Sequence, residues 1–120
     1  MSNNRPIIFA IDKNYIQHLS VALESLYQNN SYEISVFILY SGLDNDDICN
    51  LNFVSEKYNQ SIIYNEIDME KFKGFKENFH FTKAMYFRLL IPDILNEDIQ
   101  SAIYIDSDVV INGDIKYLFE

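Results

Sequence analysis

Apolar residues fall along the chain in blocks whose spacing alternates between two periods. Pro6-Ile-Ile-Phe-Ala-Ile11 is a continuous apolar run bounded by Pro6 and Asp12. A run this short reads as a strand buried on both faces. Leu19, Ala22, Leu23, Leu26 and Tyr27 follow at i, i+3, i+4, i+7 and i+8, one face of a helix that Asn29 and Asn30 end. Ile34 to Tyr40 is apolar and β-branched, a second buried strand. Asp44, Asp46 and Asp47 sit where a helix N-terminus favours negative charge, and Ile48, Leu51, Val54 and Tyr58 continue at helical spacing. Ile62 to Ile67 is a third strand.

Beyond it the pattern loosens. Residues 68–79 carry Gly74 without a clean period and read as a loop with one turn. Thr82 caps a predicted helix through Met85 to Ile91, with Pro92 as its stop. Ala102 to Ile105 is a fourth, very apolar strand, running into Asp106-Ser107-Asp108. Val109 to Ile111 is a short apolar segment, and Asn112-Gly113-Asp114 signals a turn. The order β-α-β-α-β with short connections predicts a mostly parallel sheet flanked by helices.

Composition sharpens this α/β picture. The chain has 120 residues, the length of one ordinary domain, with 48% hydrophobic and 22% charged residues, as in globular proteins and not in disordered ones. Acids outnumber bases 18 to 9, for a net charge of -9. That argues against a nonspecific nucleic-acid or anionic-membrane binder, since both need a basic footprint. Cys49 is the single cysteine, so no internal disulfide forms. The Ile7–Ile11 run is too short for a signal h-region, and no stretch approaches the roughly 18 apolar residues of a membrane helix. The expected location is cytoplasmic.

Asp106 and Asp108 carry the most chemistry. They directly follow a buried strand, and ligands of open α/β sheets bind beyond the carboxyl ends of the strands. In extended chain, residues i and i+2 project to one side, which aims both carboxylates at one point and turns Ser107 away. Two carboxylates about 4 Å apart repel by about 4 kcal/mol at an effective dielectric near 20. A shared proton or a hard divalent cation offsets this. A Mg²⁺ or Mn²⁺ ion held there would also let an acidic protein bind an anionic diphosphate. The bland reading is a polar turn after a strand. An EF-hand is excluded, because Ile111 stands where that loop needs glycine.

Several motifs, in order, carry a family resemblance. Tyr86-Phe87-Arg88-Leu89, Ile91-Pro92 and Ala102-Ile-Tyr-Ile-Asp-Ser-Asp-Val-Val-Ile-Asn-Gly-Asp114 closely resemble glycosyltransferase family 8. Ile8-Phe-Ala-Ile-Asp12-Lys-Asn14-Tyr15 resembles that family's opening strand and nucleotide loop. The family includes bacterial lipopolysaccharide galactosyl- and glucosyltransferases and, more distantly, glycogenin. The resemblance implies a GT-A type, Rossmann-like fold, a UDP-sugar donor, most often UDP-galactose or UDP-glucose, Mn²⁺ (or Mg²⁺), and transfer with retained configuration to a saccharide acceptor. It places Ala10 and Asp12 near the uracil, Asn14 nearby and Tyr15 as a stacking ring. Asp106 and Asp108 match the metal ligands, and Ser107 lies beside the ribose. Arg88 and Lys83 match donor contacts, and His80 matches an acceptor contact.

Plainer roles stand beside these. Tyr15 would pack on Leu19, Asp12 would cap the first helix, Lys83 would be solvated and His80 would be a loop residue. Arg88 lies in an otherwise apolar helix and needs an anionic partner, which a sugar phosphate or an acidic side chain would supply.

The family pattern also continues past these residues, to an acceptor-binding segment and a His-x-x-Gly-x-x-Lys-Pro-Trp motif. This chain has no tryptophan. Residues 1–120 are therefore expected to be the donor-binding part of a larger catalytic domain, weak in UDP and Mn²⁺ binding and inactive alone. An uncovered sheet face predicts self-association. Contact with the inner face of a membrane would come through segments beyond these residues. Two other functions compete. Phosphohydrolases of the haloacid dehalogenase type also place Asp-x-Asp after a strand, with Asp106 as nucleophile and Asp108 as acid/base. The Gly-Thr pair favoured there is absent. The third reading is a non-catalytic binding module.

Overall fold

The computed structural model describes residues 6–67, 91–95 and 101–119. Four parallel strands form one sheet in the order β3-β2-β1-β4: β1 Ile7–Ile11, β2 Val36–Tyr40, β3 Ile62–Glu66 and β4 Ile103–Tyr104. Ile7 pairs with Val36 on one side and with Ile103 on the other, while Val36 pairs with Ile62. Helices α1 (Ile16–Gln28) and α2 (Asn45–Glu56) connect β1 to β2 and β2 to β3. A helical turn, α3, spans Ile91–Ile94.

The strand alternation explains the unbroken apolar run of β1. Ile7, Phe9 and Ile11 enter the larger core, built with Leu19, Leu23 and Leu26 of α1, Leu51 of α2 and Ile38 of β2. Ile8 and Ala10 enter a smaller core on the opposite face with Leu39 and Ile67, against Ile91, Leu95 and Tyr104. A central parallel strand buried on both faces has no polar side to show. The helical face expected on α1 is buried at every one of its five positions. Fully burying each such leucine contributes about 1.5–3 kcal/mol.

Helix ends obey local chemistry. Asp44 caps α2: its carboxylate accepts from the Asp47 N–H at 2.9 Å, and the Asp47 carboxylate accepts from the Asp44 N–H at 3.1 Å. This reciprocal box satisfies two donors that the helix leaves unpaired. At the other end Asn59 turns left-handed at φ 56° and the Gln60 N–H donates to Ser55 O at 3.0 Å. Asparagine tolerates that conformation better than most residues. Glu24 of α1 accepts from both Lys57 and Tyr58, tying the two helices together.

Four expectations change. Strand β2 begins at Val36, not Ile34, because Ile34 N–H donates to the Gln60 side chain at 3.1 Å instead of to a neighbouring strand. Tyr58 lies past the end of α2, although its ring still packs on the core. Strand β4 has two residues rather than four, and both are half-buried. Pro92 lies inside the helical turn Ile91–Ile94 instead of stopping a helix. Proline is tolerated in a first turn, where its missing N–H has no partner to lose. The expected loop at residues 68–79 lies outside the described residues apart from its approach at Ile67, as does the predicted helix before Ile91. No helix among the described residues is long and apolar enough to cross a membrane.

Candidate nucleotide-sugar site

Sheet order decides where a ligand can enter. From β1 the chain crosses to β2 and β3 on one side, while β4 lies on the other side of β1. The direction of the sheet thus reverses between β1 and β4, and a crevice opens beyond their carboxyl ends at such a switch. Two of the segments singled out in the sequence, 12–15 and 106–108, leave these two strands.

The β1 exit is a 3-10 turn, Lys13–Tyr15, leading into α1. The Asp12 carboxylate accepts the Asn14 N–H at 2.9 Å, and Asp12 O accepts the Tyr15 N–H at 3.1 Å. Asp12 therefore caps the short turn rather than α1 itself. Asn14 is exposed. Tyr15 is half-buried, packs against the larger core and sets its ring 5.4 Å from the His18 ring at 52°. Ala10, one residue before the strand ends, is only 4% exposed and sits in the smaller core.

Lys13 ties this exit to α2. Its ammonium lies 3.0 Å from a carboxylate oxygen of Asp44 and 3.0 Å from one of Asp47. The hydrogen bonds it donates to Asp47 and then to Asp44 raise the lysine above its ordinary value. The Asp47 N–H and then the lysine hold the Asp44 carboxyl below its ordinary value. The cation thus lies between two acids that the capping box brings together.

At the β4 exit, Asp106 and Asp108 are exposed and Ser107 is buried at 8% exposure. Ser107 and Asp108 form a turn, so the extended-chain geometry expected for this pair does not apply. The alternation of exposure survives nonetheless, with serine inward and both carboxylates outward. Asp108, Val109 and Val110 line an open groove whose other wall is Gln17, His18 and Val21 of α1. His18 thus borders Tyr15 on one side and shares a groove with Asp108 on the other, which links the two exits. Sequence spacing did not single out His18; its position three residues after Tyr15 on one helix face was the available signal.

Asp106 and Asp108 are hard oxygen donors, the ligand type that Mg²⁺ and Mn²⁺ take. They fit such an ion chemically. No group of three or more His, Cys, Asp or Glu side chains gathers among the described residues, so the pair has no third protein ligand there. Lys83, Arg88 and His80 lie outside the described residues. Cys49 is exposed on α2.

The profile of Glycosyl transferase family 8 matches residues 6–120. The chain belongs to this family. It is 32% identical over 117 residues to General stress protein A of Bacillus subtilis (strain 168), covering 95% of this chain and 41% of that protein. It is 26% identical over 115 residues to the Lipopolysaccharide 1,3-galactosyltransferase of Salmonella typhimurium, covering 95% of this chain and 34% of that one. An active-site mutant of LgtC superimposes with a TM-score of 0.83 at 25% identity, over 96% of this chain and 41% of LgtC. The galactosyltransferase LgtC in complex with donor and acceptor sugar analogues gives 0.76 at 25% identity. The family 8 chain thus has the GT-A fold, and it spans less than half the length of these relatives. The family match leaves the phosphohydrolase alternative without support.

Proposed function

We propose that this family 8 chain is the donor-binding part of a retaining hexosyltransferase that moves galactose or glucose from a UDP-sugar to a saccharide acceptor. The observation that carries the reading is the pairing of exits. The two segments that resemble the family's nucleotide loop and metal pair leave the two strands that flank the switch point of the sheet. Relatives named as lipopolysaccharide galactosyl- and glucosyltransferases support a hexose donor and a glycan acceptor. The LgtC complex with donor and acceptor analogues supports both kinds of ligand.

Asp12, Asn14 and Tyr15 would receive the nucleoside, with Ala10 beneath them. Ser107 would lie beside the ribose. Lys83 and Arg88 would reach the donor, and His80 the acceptor. Asp106 and Asp108 would hold a Mn²⁺ or Mg²⁺ ion, which when bound offsets the charge of a diphosphate leaving group. An ion held by these two carboxylates would be weakly bound, because ligand number governs such a site, so these 120 residues alone would bind metal and UDP weakly and transfer little or no sugar. The reading places the protein in the cytoplasm, with any membrane contact made by segments outside this chain. Exposed Val21, Val110, Tyr117 and Leu118 support self-association of the isolated chain.

Calorimetry of UDP with and without Mn²⁺ tests this. Weak, metal-dependent binding that Asp108→Asn removes is expected. Binding indifferent to both metal and Asp108 would overturn the metal assignment. Efficient turnover of UDP-glucose or UDP-galactose by the chain would overturn its inactivity alone. Binding of a protein partner with no UDP binding at all would favour the non-catalytic module.

A further inference from the structure

The turn that carries Asp106 and Asp108 is anchored on both sides by hydrogen bonds to elements distant in sequence. Before it, the Ile105 N–H donates to Ile8 O at 2.9 Å, which fixes the chain against β1. After it, the anchors are three side chains at the carboxyl end of α1. The Ser25 hydroxyl donates to Ala22 O and accepts the Ile111 N–H, both at 2.8 Å. The Asn29 amide donates to Ser25 O at 2.8 Å and to Ile111 O at 2.9 Å. The Asn30 amide donates to Leu26 O at 2.8 Å and Gly113 O at 3.3 Å, and its carbonyl accepts the Ile115 N–H at 2.9 Å.

Ser25 and Asn30 are 8% and 3% exposed, which limits the access of water to their bonds, whereas the Asn29–Ile111 bond is exposed. Each of the three side chains bonds its own helix and the distant segment together. Helix ends leave carbonyls unpaired, and here Asn29 and Asn30 satisfy them while gripping backbone from elsewhere. Ile115 is also buried in the larger core, which seats the far end of the gripped segment. The Asp106–Asp108 turn therefore hangs between β1 and the end of α1, and its own side chains need make no contact to be held.

We propose that Ser25, Asn29 and Asn30 are positioning residues for the Asp106–Asp108 carboxylate pair, acting through the backbone of residues 111–115. The proposal rests on the reading of that pair as a divalent-metal site. Its chemistry is plain. Two like charges approach a cation productively only if the backbone carrying them is fixed beforehand, because otherwise they move apart in water. A rigid turn has already met the ordering cost that a loose one would meet on binding.

The test is Mn²⁺ titration of the chain followed by paramagnetic broadening of backbone amide signals. The wild type should broaden first at residues 106–108. Ser25→Ala keeps the helix, removes the acceptor of the Ile111 N–H along with the local bond to Ala22 O, and should weaken Mn²⁺ about fivefold, the factor one ordinary hydrogen bond to the distant segment supplies. Asn30→Ala removes three bonds and should weaken it about tenfold or more. Val54→Ala, in the core of α2, serves as the control: it lowers stability as a structural defect would, and should leave Mn²⁺ affinity unchanged.

Broadening at residues 106–108 with equal affinity in wild type and Ser25→Ala would overturn the positioning role and leave the metal site standing. So would a loss of affinity in Val54→Ala as large as that in Ser25→Ala. No broadening at residues 106–108 in the wild type would overturn the metal reading, and this proposal with it.

Discussion

Behind β1, exposed Lys13 reaches an exposed carboxylate, Asp44, and a mostly covered one, Asp47, at the start of α2; behind β4, Ser25 and Asn30 grip backbone from inside the protein. Both devices hold a strand exit at the same crevice. They differ in medium. The Lys13 and Asp44 side chains are 60% and 59% exposed, so their attraction is weak and falls with salt. The Ser25 and Asn30 bonds are neutral and buried, so salt leaves them alone and breaking one strands a polar group away from water. The comparison suggests a division of labour. The exit expected to hold the nucleoside is restrained softly, and the exit carrying the metal pair is restrained firmly.

The largest disturbance should come from what both exits share. Leu23 is fully buried in α1, between the turn at its start and the clamp at its end. Leu23→Ala should cost about 2–5 kcal/mol, the range for buried leucines in well-packed cores. Urea unfolding would measure it. A cost under about 1 kcal/mol would mean that α1 does not brace the sheet as its packing indicates.

Next in size are the two devices themselves. Asn30→Ala should cost about 2–3 kcal/mol, since it leaves Gly113 O and the Ile115 N–H without their partner. That loss should be the same in dilute buffer and in concentrated salt. Lys13→Met should lower the melting temperature far less, and only at low salt. Thermal melts of both variants across a salt series would settle the contrast. Equal salt dependence in the two would erase it.

The elements were legible where their causes are local. The buried run Ile7–Ile11, the apolar face of α1 and the Asp44 cap each announce themselves within a few residues. The site was legible only as far as motif and strand end coincide, at Asp12–Tyr15 and Asp106–Asp108. The holding devices were not. Asn29 and Asn30 looked like a helix stop, which they are, but their further partners lie 82 and 83 residues downstream at Ile111 and Gly113. Lys13 was passed over because its carboxylates lie 31 and 34 residues away. Periodicity sees neighbours on one element and is blind to a side chain that reaches another. The turn at Ser107 stood only as the plainer alternative for a related reason: alternation assumes that the strand continues, and β4 ends at Tyr104.

The smallest effect should be the most selective, because only one of the two holding devices contains titrating groups. The Asp44 carboxyl is lowered from 3.8, so its contribution is present above that value and is lost as pH falls through the lower folded value. Lys13 is raised from 10.5, so its contribution is present below that value and is lost as pH rises through the higher folded one. The β1 exit should therefore loosen in acid below about pH 4 and again in base above about pH 10. Ser25, Asn29 and Asn30 carry no titrating group, so the clamp they place on residues 111–115 should stay fixed across that interval. Amide chemical shifts followed by pH would show Asn14 and Tyr15 moving at both ends, while Ile111 and Ile115 hold until the whole chain unfolds. If the four amides moved together, the two exits would be one mechanical unit and the distinction between soft and firm would fail. If neither Asn14 nor Tyr15 moved in base, the bridge through Lys13 would count for little.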